Sequence, residues 1–439
     1  MQTKHSNEHD PKETELRKLK TALLVGSYYS GNDKGECEGF LQELERLCDT
    51  FGLTVTSKHP CVIKKIDAGT YLGIGKLEEI MLIANTEKAD VIIFDDEILP
   101  NQQRNLEKIF GKPVIDRTEL IIEVFAARAQ TREARLQIEM AKVKYQQPRL
   151  KRLWTHLSRE STGGGGGSGG GYLRGAGEQQ IEIDRRLLKK RATQLRKELE
   201  EVMQQRKTQR TQRQRTRIPT FAIVGYTNAG KSTLLNALTK ADVLVEDKLF
   251  ATLDTTTRKY TLPNRQEILL IDTVGFIRKI PHTLVAAFKS TLEEAVYTDI
   301  LIHLIDVSSP QAELQAVATL EVLKELKALE RPIITVFNKI DQCTDMHTIR
   351  KLKLQYPRSI QISALTQEGF DELLTRMIEE ISALRKIVKL RIPQSQYALA
   401  CEIMREGRVV TSEYEEDDIL LEVEIPGTLE HKVQSFVVP

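Results

Sequence analysis

Chemistry in this 439-residue chain is concentrated at Gly225-Tyr226-Thr227-Asn228-Ala229-Gly230-Lys231-Ser232. The spacing is GxxxxGK[ST], set between an apolar run, Phe221-Ala222-Ile223-Val224, and a leucine-rich segment from Thr233 to Leu238. Glycines let a backbone wrap a phosphate chain, with successive N–H groups pointing inward and the next helix offering its positive end. Lys231 can then reach the β and γ phosphates. Ser232 can offer its hydroxyl to Mg²⁺, an ion that keeps part of its water shell when held between protein and phosphate oxygens.

Three further stretches complete a nucleotide site. Asp272-Thr273-Val274-Gly275 follows the apolar run at 268–271. A carboxylate there can hold Mg²⁺ through water, and the Gly275 N–H can bond the γ-phosphate, so the loop can sense that phosphate. Asn338-Lys339-Ile340-Asp341 and Ser363-Ala364-Leu365 follow the runs at 333–337 and 360–362. Asp341 can accept the N1–H and exocyclic N–H of guanine, donors that adenine lacks there, and the Ala364 N–H can donate to guanine O6. Charged hydrogen bonds worth about 1.5–3 kcal/mol each favour GTP and GDP over adenine nucleotides. Phe276 stands after Gly275, where many signalling GTPases carry a Gln that positions the attacking water. Either hydrolysis is slow until a partner supplies order or a polar group, or Phe276 packs the loop and another segment orients the water.

Elements of the right kind surround these motifs. Apolar runs at 221–224, 268–271, 300–305, 333–337 and 360–362 read as strands, with helical patterns at 232–240, 283–297, 311–329 and 367–384. Residues 218–384 are therefore expected to form a doubly wound P-loop GTPase domain with its ligand at the carboxyl ends of the strands. Residues 385–439 read as a small C-terminal α+β appendage, with strands near 387–392, 408–411 and 419–425 and a helix at 396–405.

Upstream, residues 1–20 read as a disordered tail. Residues 21–117 read as an N-terminal α/β domain, with strands at 21–26 and 91–94 and helices at 40–48 and near Leu106. Within it, Gly69 to Lys76 looks like a second phosphate loop but lacks the full spacing, so it also reads as a glycine turn before a helix. Asp95, Asp96 and Glu97 end a strand, where they can bind a cation or be solvated.

Residues 118–217 are expected to form a long antiparallel helical hairpin with a Gly-rich tip at 161–177. Leu120, Val124, Ala127, Ala134, Ile138, Ala141 and Tyr145 make a heptad-like stripe on one long helix, and Leu188, Leu195, Leu199 and Val202 a second stripe. Ten of the chain's 25 glycines fall between residues 163 and 177, too many to order without support. Arg149, Lys151, Arg152, Arg159, Arg174, Arg185, Arg186, Lys189, Lys190, Arg191 and the segment 206–217 make this region basic, a surface for a polyanion such as RNA or a solvated helix face. Trp154 and Tyr172 can stack on bases or pack the junction.

Composition adds little: 64 Lys and Arg nearly balance 62 Asp and Glu. The five cysteines form no CxxC pair, so neither a zinc site nor a disulfide framework is suggested. No apolar run approaches the ~20 residues a membrane crossing requires, and the first 20 residues are polar, so the chain reads as cytoplasmic.

The GKS, DTVG, NKID and SAL motifs, in this order, resemble the guanine-nucleotide motifs of the translation-factor-related small GTPases. Leu249 to Arg258, Arg174-Gly175-Ala176-Gly177-Glu178 with Asp184-Arg185-Arg186, and Gly69-Thr70-Tyr71-Leu72-Gly73 narrow this: the chain is similar to the HflX family of ribosome-associated GTPases over nearly its whole length. The resemblance implies that Phe250, Ala251, Thr252, Leu253 and Asp254 border the nucleotide, and that Thr252 joins Ser232 on Mg²⁺ and closes over the γ-phosphate. Lys231, Thr252 and Gly275 are then the catalytic candidates. Thr255 stands where the family usually has Pro. It further implies a cytoplasmic monomer that binds GTP and GDP, associates with the large ribosomal subunit through rRNA and splits or rescues stalled ribosomes, without DNA or membrane insertion. The alternative is an RNA-remodelling ATPase with a second nucleotide site in the N-terminal domain.

Overall fold

The computed structural model describes residues 18–150, 172–216, 218–239, 248–250, 252–253, 255–279, 296–343, 346–406, 408–415, 417–426 and 430–438. Near the N-terminus, β1 (Thr21–Tyr28), β2 (Thr54–Val62), β3 (Val91–Phe94) and β4 (Val114–Asp116) form a parallel sheet in the order β2-β1-β3-β4. Helices α1 (Lys34–Phe51), α2 (Ile74–Thr86) and α3 (Pro100–Phe110) connect them. One sheet face packs Ala22, Leu24, Val91 and Ile93 against Leu41, Leu44 and Leu47 of α1. The other packs Leu23, Val25, Ile92 and Phe94 against Leu77 and Ile80 of α2 and Leu106 of α3. Strands buried on both faces read as continuous apolar runs, which is why β1 and β3 are legible in the sequence. The polar edge strand β2 is not. The strand order reverses at β1, which places the sheet's crevice at the carboxyl ends of β1 and β3, at Ser27 and Asp95.

The expected single long helix is two. Helix α4 (Arg117–Arg128) stops at Ala129, whose backbone is extended, and α5 (Arg132–Gln146) restarts behind Thr131, whose hydroxyl accepts the Ala134 N–H at 3.2 Å. The heptad stripe also faces elsewhere than expected. Leu120, Val124, Ala134, Ile138, Ala141 and Tyr145 pack into the core beneath the first sheet, and Ala127 is exposed. The contact with the returning helix α6 (Tyr172–Thr216) uses Leu136, Met140 and Val143 around the fully buried Leu195, flanked by Leu188, Leu199 and Val202. Ion pairs Arg191–Glu139 at 2.5 Å, Arg132–Glu198 at 3.8 Å and Arg206–Glu133 at 2.6 Å run along this seam and make α5 and α6 antiparallel. Residues 172–177, expected in the glycine tip, form the first turns of α6. A long helix already nucleated can absorb glycines at about 1 kcal/mol each. The rest of the tip and Trp154 lie outside the described residues.

The third unit is a six-stranded sheet in the order β10-β9-β8-β5-β7-β6, from β5 (Thr220–Gly225), β6 (Thr256–Thr261), β7 (Glu267–Asp272), β8 (Ile300–Asp306), β9 (Ile333–Asn338) and β10 (Ile360–Gln361). All pairings are parallel except the edge strand β6 against β7. Helices α7 (Lys231–Thr239) and α10 (Phe370–Ala383) cover one face, α8 (Ala312–Glu325) and α9 (Met346–Gln355) the other. This is the expected α/β architecture; β6 and α9 are additions, and most of the helix expected at 283–297 lies outside the described residues. After it, β11 (Arg385–Pro393), α11 (Tyr397–Glu406), β12 (Arg408–Glu415) and β13 (Asp418–Pro426) form an antiparallel sheet, β11-β13-β12, with Ala400 and Ile403 of α11 in its core.

Candidate nucleotide site

The phosphate loop joins β5 to α7 at the centre of the parallel sheet. Gly230 lies at φ +94°, open only to glycine without strain, and a Cβ there would meet the side-chain amide of Asn338. Lys231 is buried, and its ammonium donates to the Tyr226 carbonyl at 2.8 Å. Burial pulls its pKa down to about 8, against the opposing pull of the Asp272 carboxylate. Thr227, Asn228, Gly230, Lys231, Ser232, Lys248, Phe250, Thr252 and Gly275 line one pocket.

Hard oxygens meet at its floor. Ser232 Oγ donates to Asp272 Oδ2 at 2.6 Å and lies 2.7 Å from Thr252 Oγ1. Asp272 Oδ1 is buried with no hydrogen-bond partner among the described residues, as is Thr227 Oγ1. Burial pushes the Asp272 carboxyl above the usual carboxylate range, and a divalent cation would favour its ionised form. One carboxylate and two hydroxyls suit Mg²⁺.

Gly275 closes the pocket: a Cβ there would lie 2.8 Å from Lys231 Nζ and from Thr227 Cα. The following residue bridges to the phosphate loop, Phe276 N–H donating to the Gly225 carbonyl at 3.1 Å and Thr227 N–H to the Phe276 carbonyl at 2.7 Å. The Phe276 ring is buried in the apolar core with Val274 and Ile277. It packs the loop. Thr273 Oγ1 donates to the Ile223 carbonyl at 2.7 Å.

On the base side, Asn338 Nδ2 donates to the Ala229 carbonyl at 2.8 Å and Asn338 Oδ1 accepts the Ala364 N–H at 2.9 Å. One buried side chain thus ties the phosphate loop to the Ser363-Ala364-Leu365 loop. The Ala364 N–H, expected to meet guanine O6, is donated to Asn338, so a base would share it. Lys339, at φ +64°, pairs with Asp306 at 2.8 Å. Ile340 and Asp341 begin a short 3₁₀ turn with the Asp341 side chain exposed, Ser363 is buried, and Leu365 is 71% exposed. Ala251 and Asp254 lie outside the described residues. Phe250, at φ +54°, and Leu253 are buried; the Phe250 ring meets Phe125 of α4 edge-on at 4.4 Å.

Other sequence candidates resolve differently. Asp95 and Asp96 take protein cations: Lys279 Nζ lies 2.6 Å from Asp95 and 2.8 Å from Asp96, and Arg117 2.7 Å from Asp95. The segment from Gly69 is a turn capped by Asp67, which accepts the Gly69 N–H at 2.7 Å and the Thr70 N–H at 2.8 Å, while Lys76 pairs with Glu79. Arg149, counted in the basic surface, is buried against Asp116, the Ile98 carbonyl and the Tyr145 ring. Sequence reading missed Glu43, Arg117, Phe125 and Arg278, whose partners lie far away in the chain. Only the unusual Asp95-Asp96 pair hinted at them.

Known proteins give this site its family. Residues 38–126 match the family described as GTP-binding GTPase N-terminal, 128–213 the GTP-binding GTPase Middle Region, and 220–339 the 50S ribosome-binding GTPase. GTPase HflX of Chlamydia pneumoniae is 46% identical over 417 residues, 95% of this chain and 88% of that protein. The chain belongs to the HflX family of GTPases. GTPase HflX of Escherichia coli is 39% identical, over 92% of this chain and 93% of that protein. A solved GTP-binding protein from Sulfolobus solfataricus in complex with GDP is 29% identical, covering 83% of this chain and 100% of that one with a TM-score of 0.44. This HflX-family chain is a GTPase, binding GTP and hydrolysing it to GDP and phosphate. No described helix is long and apolar enough to cross a membrane.

Proposed function

We propose that this GTPase is a GTP-operated switch on the large ribosomal subunit, with a role in splitting or rescuing stalled ribosomes. Its chemistry rests on the cluster of Ser232, Thr252 and Asp272 beneath Lys231, the observation that carries the reading. Lys231 binds the β and γ phosphates. Ser232, Thr252 and Asp272 would together hold Mg²⁺, which would supply positive charge against the phosphates. The Gly275 N–H senses the γ-phosphate, so GTP holds Thr252 and Gly275 closed and GDP lets both relax. Asp341 reads guanine, and Asn338 sets the distance between base and phosphate loops.

The ribosomal partner is supported by the match of residues 220–339 to 50S ribosome-binding GTPases and by α6, where Arg185, Arg186, Lys189, Lys190, Arg196 and Lys197 are exposed. Phe276 is packed inward and offers the attacking water no polar group, so another segment must orient that water, and a ribosome that orders the loops would raise the rate. Single-turnover GTP hydrolysis with added large subunits tests this. A rise of at least about tenfold is expected, and a flat response overturns the ribosomal reading.

A further inference from the structure

The N-terminal unit grips both edges of the nucleotide pocket. Its helix α1 reaches the pocket's start at Thr50, whose hydroxyl accepts the Leu249 N–H at 3.2 Å, and its far side at Glu43. Leu249, Phe250, Leu253, Val274, Phe276 and Ile277 share one continuous apolar core with α1 and α4. At the heart of this seam the peptide of Arg278, three residues beyond Gly275, is held from both sides. Its N–H donates to Tyr226 Oη at 2.8 Å, and its carbonyl accepts from the Arg117 guanidinium at 3.2 Å. Tyr226 in turn donates to Glu43, and Glu43 accepts from Arg117, which closes a ring. All of Glu43, Arg117, Tyr226 and Arg278 are at most 9% exposed.

The next residue completes the grip. Lys279 enters the crevice at the carboxyl ends of β1 and β3, the place where an open α/β sheet takes its ligand. It bonds Asp95 and Asp96 there and lies 4.2 Å from the centre of the Phe40 ring. The ligand of the N-terminal crevice is thus the chain's own loop.

We propose that Glu43, Arg117 and Tyr226 are positioning residues for the GTPase site: they hold the Arg278 peptide so that Gly275 lies against Thr227 and Lys231, the arrangement that receives the γ-phosphate. This rests on the switch reading above. Tyr226 has a double place in it, with its backbone in the phosphate loop and its hydroxyl in the N-terminal unit. Because the ring holds the backbone three residues beyond Gly275, which lies against Thr227 and Lys231, its effect falls on the γ-phosphate side of the site and so on GTP more than on GDP. Glu43 and Arg117 are buried as an ion pair, and the loss of one ring member removes one hydrogen-bond partner from each of its neighbours, while Arg117 keeps Asp95.

The test measures equilibrium affinity for GDP and for a non-hydrolysable GTP analogue in the full-length protein. Tyr226→Phe deletes one hydroxyl and should raise the Kd for the analogue at least about fivefold, the factor one net hydrogen bond supplies, with GDP affinity within about twofold. Glu43→Gln should act in the same direction, and Tyr226→Phe combined with Glu43→Gln should cost less than the product of the two, because both open one ring. Lys279→Gln, at a partly exposed position, provides the same readout should the buried variants fail to fold, with a smaller selective loss expected. Equal losses for both nucleotides, or no loss in folded Tyr226→Phe or Lys279→Gln, would overturn the proposal. A wild-type protein that binds both nucleotides without a γ-phosphate or magnesium effect would instead refute the switch reading.

Discussion

Asn338 shows how much one side chain can fix when both ends of an amide are used: it spans from the Ala229 carbonyl to the Ala364 N–H and so locks the base loop to the phosphate loop. Asp341 beside it is exposed and free to read a base edge. Asp341→Asn should lower GTP affinity by about 10-fold or more and raise that for xanthosine triphosphate, because the acceptor for the guanine amino group becomes a donor. Competition binding with the two nucleotides measures this, and unchanged GTP affinity would contradict the assignment. A different residue sets an acid limit on stability. His303 on β8 is fully buried, its ring nitrogens have no hydrogen-bond partner among the described residues, and burial lowers its pKa from 6.5 to about 4. The unfolded chain therefore takes up the proton first as pH falls through 6.5, so His303 costs stability between there and about pH 4. Between pH 7 and pH 5 the wild type should lose about 2 kcal/mol more than His303→Val in urea titrations. The motifs proposed to bind phosphate, guanine and magnesium were legible in the sequence because such chemistry is written in local spacing, and the structure brings most of their described residues into one place. The pairing of Tyr226 with Glu43, 183 residues away, was not, since no spacing rule links them.

At the scale of elements, legibility followed burial. Long strands covered on both faces announced themselves as apolar runs; the three-residue β4, though buried throughout, and the edge strands β2 and β6, with polar faces, did not. The stripe from Leu120 to Tyr145 was real as a buried surface, yet the periodicity could not say which surface it met. Thr131 caps a new helix and turns the chain, so that α5 offers one face to the first sheet and another to α6. Leu195 is the one fully buried side chain of the small α5–α6 cluster. Leu195→Ala should destabilise that seam by about 2–4 kcal/mol. Hydrogen exchange should then speed up in α6 while guanine-nucleotide affinity stays within about twofold. An equal loss of protection in β5 and β8 would show that the hairpin and the nucleotide unit unfold together.

For the whole molecule, the nucleotide pocket is lined by one unit and backed by another. The six-stranded sheet carries the residues proposed to bind phosphate, base and metal, while the N-terminal unit packs against Phe250, Leu253, Val274 and Phe276. On the switch proposal, a nucleotide-driven shift at Thr252 or Gly275 would be transmitted to Phe125, Glu43 and Lys279 and would change how the N-terminal unit and the basic helix α6 present themselves to a partner. Such coupling gives the GTP state a different surface from the GDP state, which a ribosome can select. Co-sedimentation of the full-length protein with large ribosomal subunits, in GDP and in a non-hydrolysable GTP analogue, tests this most directly. The protein should pellet with the subunits in the analogue and remain largely in the supernatant in GDP; equal recovery in both, or recovery in neither, would contradict a GTP-operated switch on the large subunit.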